Sequence, residues 1–470
     1  MNYNFFSNKI NINDFFDVDW TKRPNIFFLI ILFAISRIPL LNLGFGSDPD
    51  AWRIANSAFD LHYFNIYHPS RFPGYPLPEF FNSLIINYGW LATNILTMIL
   101  SLISVIVFAN ILKELNIKNK GLIVITYAFI PILWINSAST MDYMWALAFI
   151  IFTWFFIIKK QHYLAGLMMG LAIGSRITSA ALILPFIYLI LVDSKNAKNA
   201  IYFFLIATVT AIILFLPLFF QYNLEFLTYY PMSIDMIMVW QNINHFFGIF
   251  AVSFGLMLFI LSSKSLLNNI VKRDKLTLFL LFSIGLIFIL FIKAPYDTAY
   301  LIPAIPFLLL LMNKISKKKF FAIFCFLLML NSFVSFASSD ISSIVQEGVV
   351  LEDIELRNNL VHSTQTILNN NNRNSVVIVG EYLPSLCYMY EESAKNHKLI
   401  GMVGFNKLEI KEHWDSKNNV GYIYLASKGQ LLDIQRKNFK TYYGGSNPLL
   451  MTEQIYKYNL EDYNCSNILI

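Results

Sequence analysis

Residues 46–78 read GSDPDAWRIANSAFDLHYFNIYHPSRFPGYPLP and follow Leu43-Gly44-Phe45. They form the one long polar insertion in the first two-thirds of an oily chain, between apolar runs at 26–43 and 87–112. Each run reaches the roughly 17–25 residues that a membrane helix needs. The stretch therefore reads as a loop, 44–86, between two membrane spans, which makes the chain a polytopic helical membrane protein. Within the loop stand Asp48 and Asp50, Arg53 one helical turn on, and a second cluster, S-R-F-P-G-Y-P, that carries Arg71 and Tyr75. Acids, arginines and tyrosines on a loop held by rigid helices make a better site than a linker, although a solvated loop with idle charges has the same composition.

Composition agrees with a bilayer protein. Of 470 residues 56% are hydrophobic, 16% aromatic and 14% charged, with mean hydropathy +0.54, against about 25% charged in soluble domains. The net charge of +6 reflects where the lysines sit more than any acidic partner, and no nucleic-acid partner is expected. Cys325, Cys387 and Cys465 show no C-x-x-C or His-rich metal spacing; Cys387 and Cys465 could pair if their domain is extracytoplasmic, or stay two unrelated thiols. Nucleotide-binding loops of the G-x-x-x-x-G-K-[ST] kind are absent.

Residues 1–25 alternate Phe5, Phe6, Ile10, Phe15 and Trp20 with Asn, Asp and Lys, and read as a cytoplasmic interfacial segment without an apolar signal core. Further apolar runs lie at 121–137, 141–158, 199–220, 246–263, 276–292, 298–313 and 319–338, with two shorter pieces between 163 and 192 that meet at Arg176. About eleven transmembrane helices result. Orientation follows from the loop lysines: with a cytoplasmic N-terminus, Lys22, Lys113, Lys118, Lys159, Lys195, Lys272 and Lys318 share one side, and the other keeps only Arg37, Arg53, Arg71, Arg176 and Lys293. That division places the acid-bearing loop, Asp142, Arg176 and K-A-P-Y-D (293–297) outside. Residues 26–338 would be the membrane domain. Residues 339–470 are rich in Asn, Glu and Lys, with strand-like runs at 376–380 and 420–425 and helical stretches at 352–369, 382–393 and 427–437; they read as a small extracytoplasmic α/β domain.

Asp48 and Asp50 flank Pro49. In an extended segment both would face one way and could hold one divalent cation, or one could serve as a general base that the other orients. Asp-Pro also begins helices, with Asp48 as cap and Pro49 in the first turn. Arg176, a charge among apolar helices, needs an anion: a phosphate, gripped by two hydrogen bonds, or a structural partner such as Asp142. Arg37 has the same two readings. Tyr75, Tyr296 with Asp297, and Tyr300 offer sugar-binding surfaces, while tyrosines at a membrane boundary also serve as interface anchors.

Together these features resemble the GT-C superfamily of polyprenyl-phosphate-dependent glycosyltransferases, nearest the protein mannosyltransferase and aminoarabinose transferase type. The resemblance rests on S-D-P-D-A-W-R (47–53), R-x-P-G-Y-P (71–76), the short helices meeting at Arg176, and A-P-Y-D-T-A-Y-L-I-P-A-I-P-F (294–307). Asp50 is followed by Ala51 where the mannosyltransferases typically carry Asp-Glu, and Asp48-Pro49 is similar to the Asp-Pro start of oligosaccharyltransferase catalytic subunits, whose acid helps hold a metal. The resemblance implies a GT-C-like arrangement in the plasma (inner) membrane. A sugar would pass from a polyprenyl-phosphate donor to a protein, lipid or glycan acceptor of the cell envelope, with inversion. It makes Asp50 or Asp48 the catalytic base, with Mg or Mn at the two acids if a divalent cation is used. It makes Arg176, with Arg37 or Lys293, the group that stabilises the departing phosphate; the loop and boundary residues Arg53, Arg71, Tyr75, Asp142, Tyr296, Asp297 and Tyr300 complete the expected substrate contacts. A transporter or flippase of a lipid-linked sugar is the main rival; a receptor or assembly factor that works through its tail is another.

Overall fold

The computed structural model describes residues 16–227, 234–335, 346–369, 375–378, 384, 385, 387–389, 399–403 and 423–425. In chain order the helices are α1 (Arg23–Leu41), α2 (Pro49–Phe64), α3 (Pro76–Ser83), α4 (Gly89–Glu114), α5 (Lys120–Phe129), α6 (Pro131–Asn136), α7 (Tyr143–Ile158), α8 (His162–Ser175) and α9 (Ile183–Ser194). They continue with α10 (Ala197–Tyr222), α11 (Met236–Phe247), α12 (Ile249–Leu261), α13 (Ser263–Val271), α14 (Lys275–Lys293), α15 (Ile305–Ile315), α16 (Lys318–Leu330) and α17 (Val349–Asn369). Strands β1 (Val334–Ser335) and β2 (Gln346–Glu347) pair antiparallel. Strands β3 (Ser375–Ile378), β4 (Leu399–Val403) and β5 (Ile423–Leu425) form a parallel sheet in the order β4-β3-β5.

The protein is a polytopic helical membrane protein. Six helical stretches among the described residues are long and apolar enough to cross a membrane: Arg23–Leu41, Ile86–Glu114, Ile177–Ser194, Ala197–Tyr222, Lys275–Lys293 and Thr298–Ile315. A seventh results if α11 and α12 count as one span, bent by 100° at Gly248 (φ +80°). Several of the apolar runs are shorter as helices, for local reasons. The run 121–137 divides because Ile130, ahead of Pro131, is extended (φ −63°, ψ 134°), as the proline ring disfavours helical backbone before it. Among the described residues of the run 319–338, the helix is the 13-residue α16, which ends at Leu330. Arg176 is extended (φ −152°, ψ 117°) between α8 and a 3-10 turn, Ile177–Leu182, that leads into α9, so the two pieces do meet at the arginine.

Contacts divide the chain into two compact units: Met1–Ile38, Ile95–Ala138 and Asp142–Glu352 in one, and Pro39–Asn94, Ser139–Met141 and Asp353–Ile470 in the other. This differs from the sequence boundaries, which put loop 44–86 with the spans in 26–338 and began the tail at 339. Loop and tail group together because they satisfy one another. The Ser47 hydroxyl donates to Asp353, Asn56 Nδ2 donates to Pro384 O at 2.9 Å, and the ring of Tyr388, itself buried, lies 4.6 Å from that of Phe45 and 6.1 Å from that of Trp52. In the tail α17 is helical, and so are the described residues 384, 385 and 387–389 of the helix expected at 382–393; the rest of that helix and the one expected at 427–437 fall outside the described residues, as do Cys465 and residues 1–15.

The larger unit is held by close helix packing. Gly166, Gly170 and Gly174 line one face of α8 at four-residue spacing and press on α10: a Cβ on Gly170 would lie 2.4 Å from Thr210 Cβ, and one on Gly166 2.7 Å from Phe203 O. Small residues let membrane helices approach where the hydrophobic effect between them is weak. Elsewhere Trp154 of α7, fully buried, packs against Phe279 of α14 at 5.2 Å and Phe307 of α15 at 5.4 Å. Gly170→Val overpacks the α8–α10 contact, and the solubilised protein loses about 1–3 kcal/mol of stability, read as an earlier thermal midpoint. Gly285→Val on α14, where an added Cβ meets nothing within 4 Å, is the control and stays within about 0.5 kcal/mol. Equal losses in the two variants contradict the packing argument.

Candidate active site

The sequence nominees fall into a group in each unit. In the smaller unit, Asp48 is the N-cap of α2 (φ −74°, ψ 129°); its Oδ1 accepts from the Asp50 amide at 2.8 Å, and Pro49 opens the first turn. The helical start, and not the extended D-x-D, is therefore what forms, because cap and proline together specify a helix terminus. Asp50, in the first turn, is gripped by two guanidiniums: Arg53 Nη1 donates to Oδ1 at 2.7 Å, and Arg71 Nε lies 3.0 Å from Oδ2. Arg71 is 8% and Arg53 37% exposed, with Asp50 between at 20%. The Arg71 guanidinium stacks over the Tyr75 ring at 4.2 Å. The folded loop thus brings Asp50, Arg53, Arg71 and Tyr75 to one place.

A residue that sequence reading missed builds that place. Glu79, in the first turn of α3 and fully buried, accepts from the Ser70 amide at 2.8 Å, the Tyr75 amide at 3.2 Å and the Tyr67 hydroxyl at 2.5 Å. It ties both ends of the Ser70–Tyr75 turn, whose Phe72–Pro73 bond is cis. Burial pushes its carboxyl above the ordinary carboxylate range, against the pull of its donors. The available signal was that Glu79 is the lone acid between Asp60 and Glu114. Nearby, Asp60, also raised by burial, holds His68 Nδ1 at 3.0 Å.

In the larger unit, Asp142 stands at the start of α7 without a side-chain cap bond and is fully buried, and Arg176 Nη1 meets its Oδ2 at 2.5 Å. The Arg176 guanidinium lies over Tyr143 at 4.1 Å and Tyr300 at 4.9 Å. The Tyr143 hydroxyl donates to Asp297, which caps its own 3-10 turn through the Ala299 amide at 2.8 Å. Asp142, Arg176, Asp297 and Tyr300 are therefore one network. Lys293, the last residue of α14, and Tyr296 are exposed. Arg37 is fully buried: it donates to Ser137 Oγ at 3.1 Å, to Ser36 Oγ at 2.8 Å and to Ala128 O, over the Phe33 ring at 3.7 Å. These partners make it a packing element of its unit.

Among the described residues no three His, Cys, Asp or Glu side chains gather as metal ligands. Asp48 spends an oxygen on its cap and Asp50 both on arginines, so the two acids by themselves do not fit a divalent cation. No protein-family model matches the chain, and no curated protein matches it.

The Arg176–Asp142 pair yields a direct test. Arg176→Ala leaves a buried carboxylate without this counter-charge and costs about 3–5 kcal/mol, while removal of both charges, Asp142→Asn with Arg176→Ala, returns much of the loss. Thermal unfolding of the solubilised variants measures it; an unchanged midpoint in Arg176→Ala contradicts a structural pair.

Proposed function

We propose that the chain is a membrane glycosyltransferase that moves a sugar from a polyprenyl-phosphate-linked donor to an acceptor hydroxyl with inversion, and that Asp50 is its base. The observation that carries the reading is the Asp50 carboxylate held between Arg53 and Arg71 at 2.7 and 3.0 Å in a polar loop between membrane helices. Such a carboxylate is fixed in orientation yet still partly exposed, as proton transfer from a substrate hydroxyl requires. The GT-C resemblance of 47–53 and 71–76 supports the same residues.

In this reading the acceptor oxygen attacks the anomeric carbon on the face away from the phosphate. The new C–O bond forms as the bond to phosphate breaks, Asp50 takes the hydroxyl proton, and the polyprenyl phosphate departs. Arg53, the more exposed of the two guanidiniums, meets the phosphate charge; Arg71 stays on the carboxylate and Tyr75 supports Arg71 from below. Asp48 sets the start of α2. Arg176, which already holds Asp142, serves as the counter-charge of its own network, and no step is routed through a divalent cation. The reading takes the shorter apolar helices as crossings in an eleven-span arrangement of the plasma (inner) membrane. It sets the loop and an α/β tail on the extracytoplasmic side, as the lysine asymmetry supports.

Purified protein in lipid nanodiscs, given synthetic polyprenyl-phosphate sugars and an envelope extract as acceptor, tests the assignment. Asp50→Asn keeps the size of the side chain and lowers transfer by about 10²–10⁴-fold, with expression unchanged. Near-normal transfer in Asp50→Asn beside an inactive Asp48→Asn contradicts the role given to Asp50, and donor crossing the bilayer with no covalent transfer supports a flippase.

A further inference from the structure

The segment that leads into Asp48 is fastened to the helix that follows the last span. Ser47, immediately before the cap residue, donates its hydroxyl to Asp353 of α17. Asp353 in turn receives Arg357 Nε at 2.7 Å, one helical turn along, the acid-first spacing that favours such a pair on a helix. The rest of the Arg357 guanidinium reaches Ser139 Oγ at 2.5 Å and Leu40 O at 3.4 Å. Arg357 is fully buried and Asp353 is 5% exposed, so neither is a solvated surface charge. A buried arginine with a buried acid, bridging residues more than 300 positions away in sequence, is a costly arrangement to keep for a tail that only hangs from the membrane domain.

We propose that Asp353 and Arg357 are positioning residues for Asp50, acting through Ser47: the carboxylate of α17 fixes the peptide that enters α2 and so sets where the Asp50 carboxylate points. The proposal rests on the transferase reading above and extends it, because it makes α17 part of the catalytic unit. Ser47 lies three residues before Asp50 and one before the cap, so freedom at Ser47 becomes misplacement of the first turn. Misplacement of about 1 Å in a catalytic group can cost on the order of 100-fold in rate without weakening binding.

Ser47→Ala cuts the link and leaves the Asp353–Arg357 pair whole; Ser47→Thr restores a hydroxyl. Asp353→Asn weakens the same link from the other end. Each full-length variant is read in two ways: hydrogen exchange of peptides over 43–60, and kcat and KM with a synthetic polyprenyl-phosphate hexose. Ser47→Ala and Asp353→Asn are expected to exchange about fivefold faster in this segment and to lose on the order of tenfold in kcat, with KM for the donor unchanged. Ser47→Thr is expected to return both readouts. Unchanged exchange in Ser47→Ala overturns the tether, and faster exchange with unchanged kcat overturns its role in positioning. If the unaltered protein transfers no sugar from any lipid-linked donor, the transferase reading fails, and the exchange measurement still decides whether α17 fixes the loop.

Discussion

The constraint on which the smaller unit depends is the backbone of residues 40–47, which leaves the end of α1 and must bury its polar groups. Buried carbonyls and hydroxyls need partners, and six of them here have specific ones. Leu41 O and Gly44 O accept from Asn94 Nδ2 at 3.0 and 2.8 Å, Phe45 O from the Thr140 amide at 2.7 Å, and Gly46 O from Trp52 Nε1 at 3.0 Å. Leu40 O and the Ser47 hydroxyl go to Arg357 and Asp353. Partners thus come from α2, α4, the 139–141 turn and α17. The Phe45 ring adds an apolar counterpart, edge-on to Trp52 at 5.0 Å and near Trp90 at 5.9 Å. With that segment fixed, α2 can begin only where Asp48 caps it, and Asp50 can face only where Arg53 and Arg71 meet it.

The larger unit solves a different problem. Its helices are apolar on nearly every face, so contact surfaces are chosen by shape, as at the glycine stripe of α8, and by a few buried charges that must find one another. Arg176 and Asp142 do so at the break between α8 and α9, where the chain leaves helical geometry and the guanidinium can lie across two tyrosine rings. The arginine-bound carboxylate of the larger unit, Asp142, is buried, as is Asp353 of the smaller one, whereas Asp50 is partly exposed, and only the exposed kind is suited to meet a substrate.

Much of this was legible in the sequence. Apolar runs mark the membrane class, and the scarcity of polar residues singles out the loop that carries Asp50 and Arg53 in one cluster and Arg71 and Tyr75 in a second. The meeting of two short helices at Arg176, and Asp142 as its alternative partner, were also readable, because a charge in an apolar setting demands an anion. What failed to show was what depends on tertiary pairing. Run length alone hides the breaks at Pro131 and Gly248. A shift to polar composition after residue 338 marks a change of environment, but it does not reveal that Asp353 and Arg357 reach back to Ser47, since an Asp and an Arg four apart on a helix look like any solvated pair. Glu79 escaped notice for the same reason, as its three donors are defined only once the 67–75 turn is closed.

The central claim is that the protein moves a sugar outside the bilayer and that Asp50 does the proton chemistry. Mass spectrometry of envelope glycans, glycolipids and glycoproteins tests it most directly, comparing cells that have the protein, lack it, or carry it as Asp50→Asn. The account predicts that one hexose, pentose or amino-sugar mass disappears from the same acceptor in the last two. Unchanged envelope glycans in both, or a full complement restored by Asp50→Asn, would contradict it.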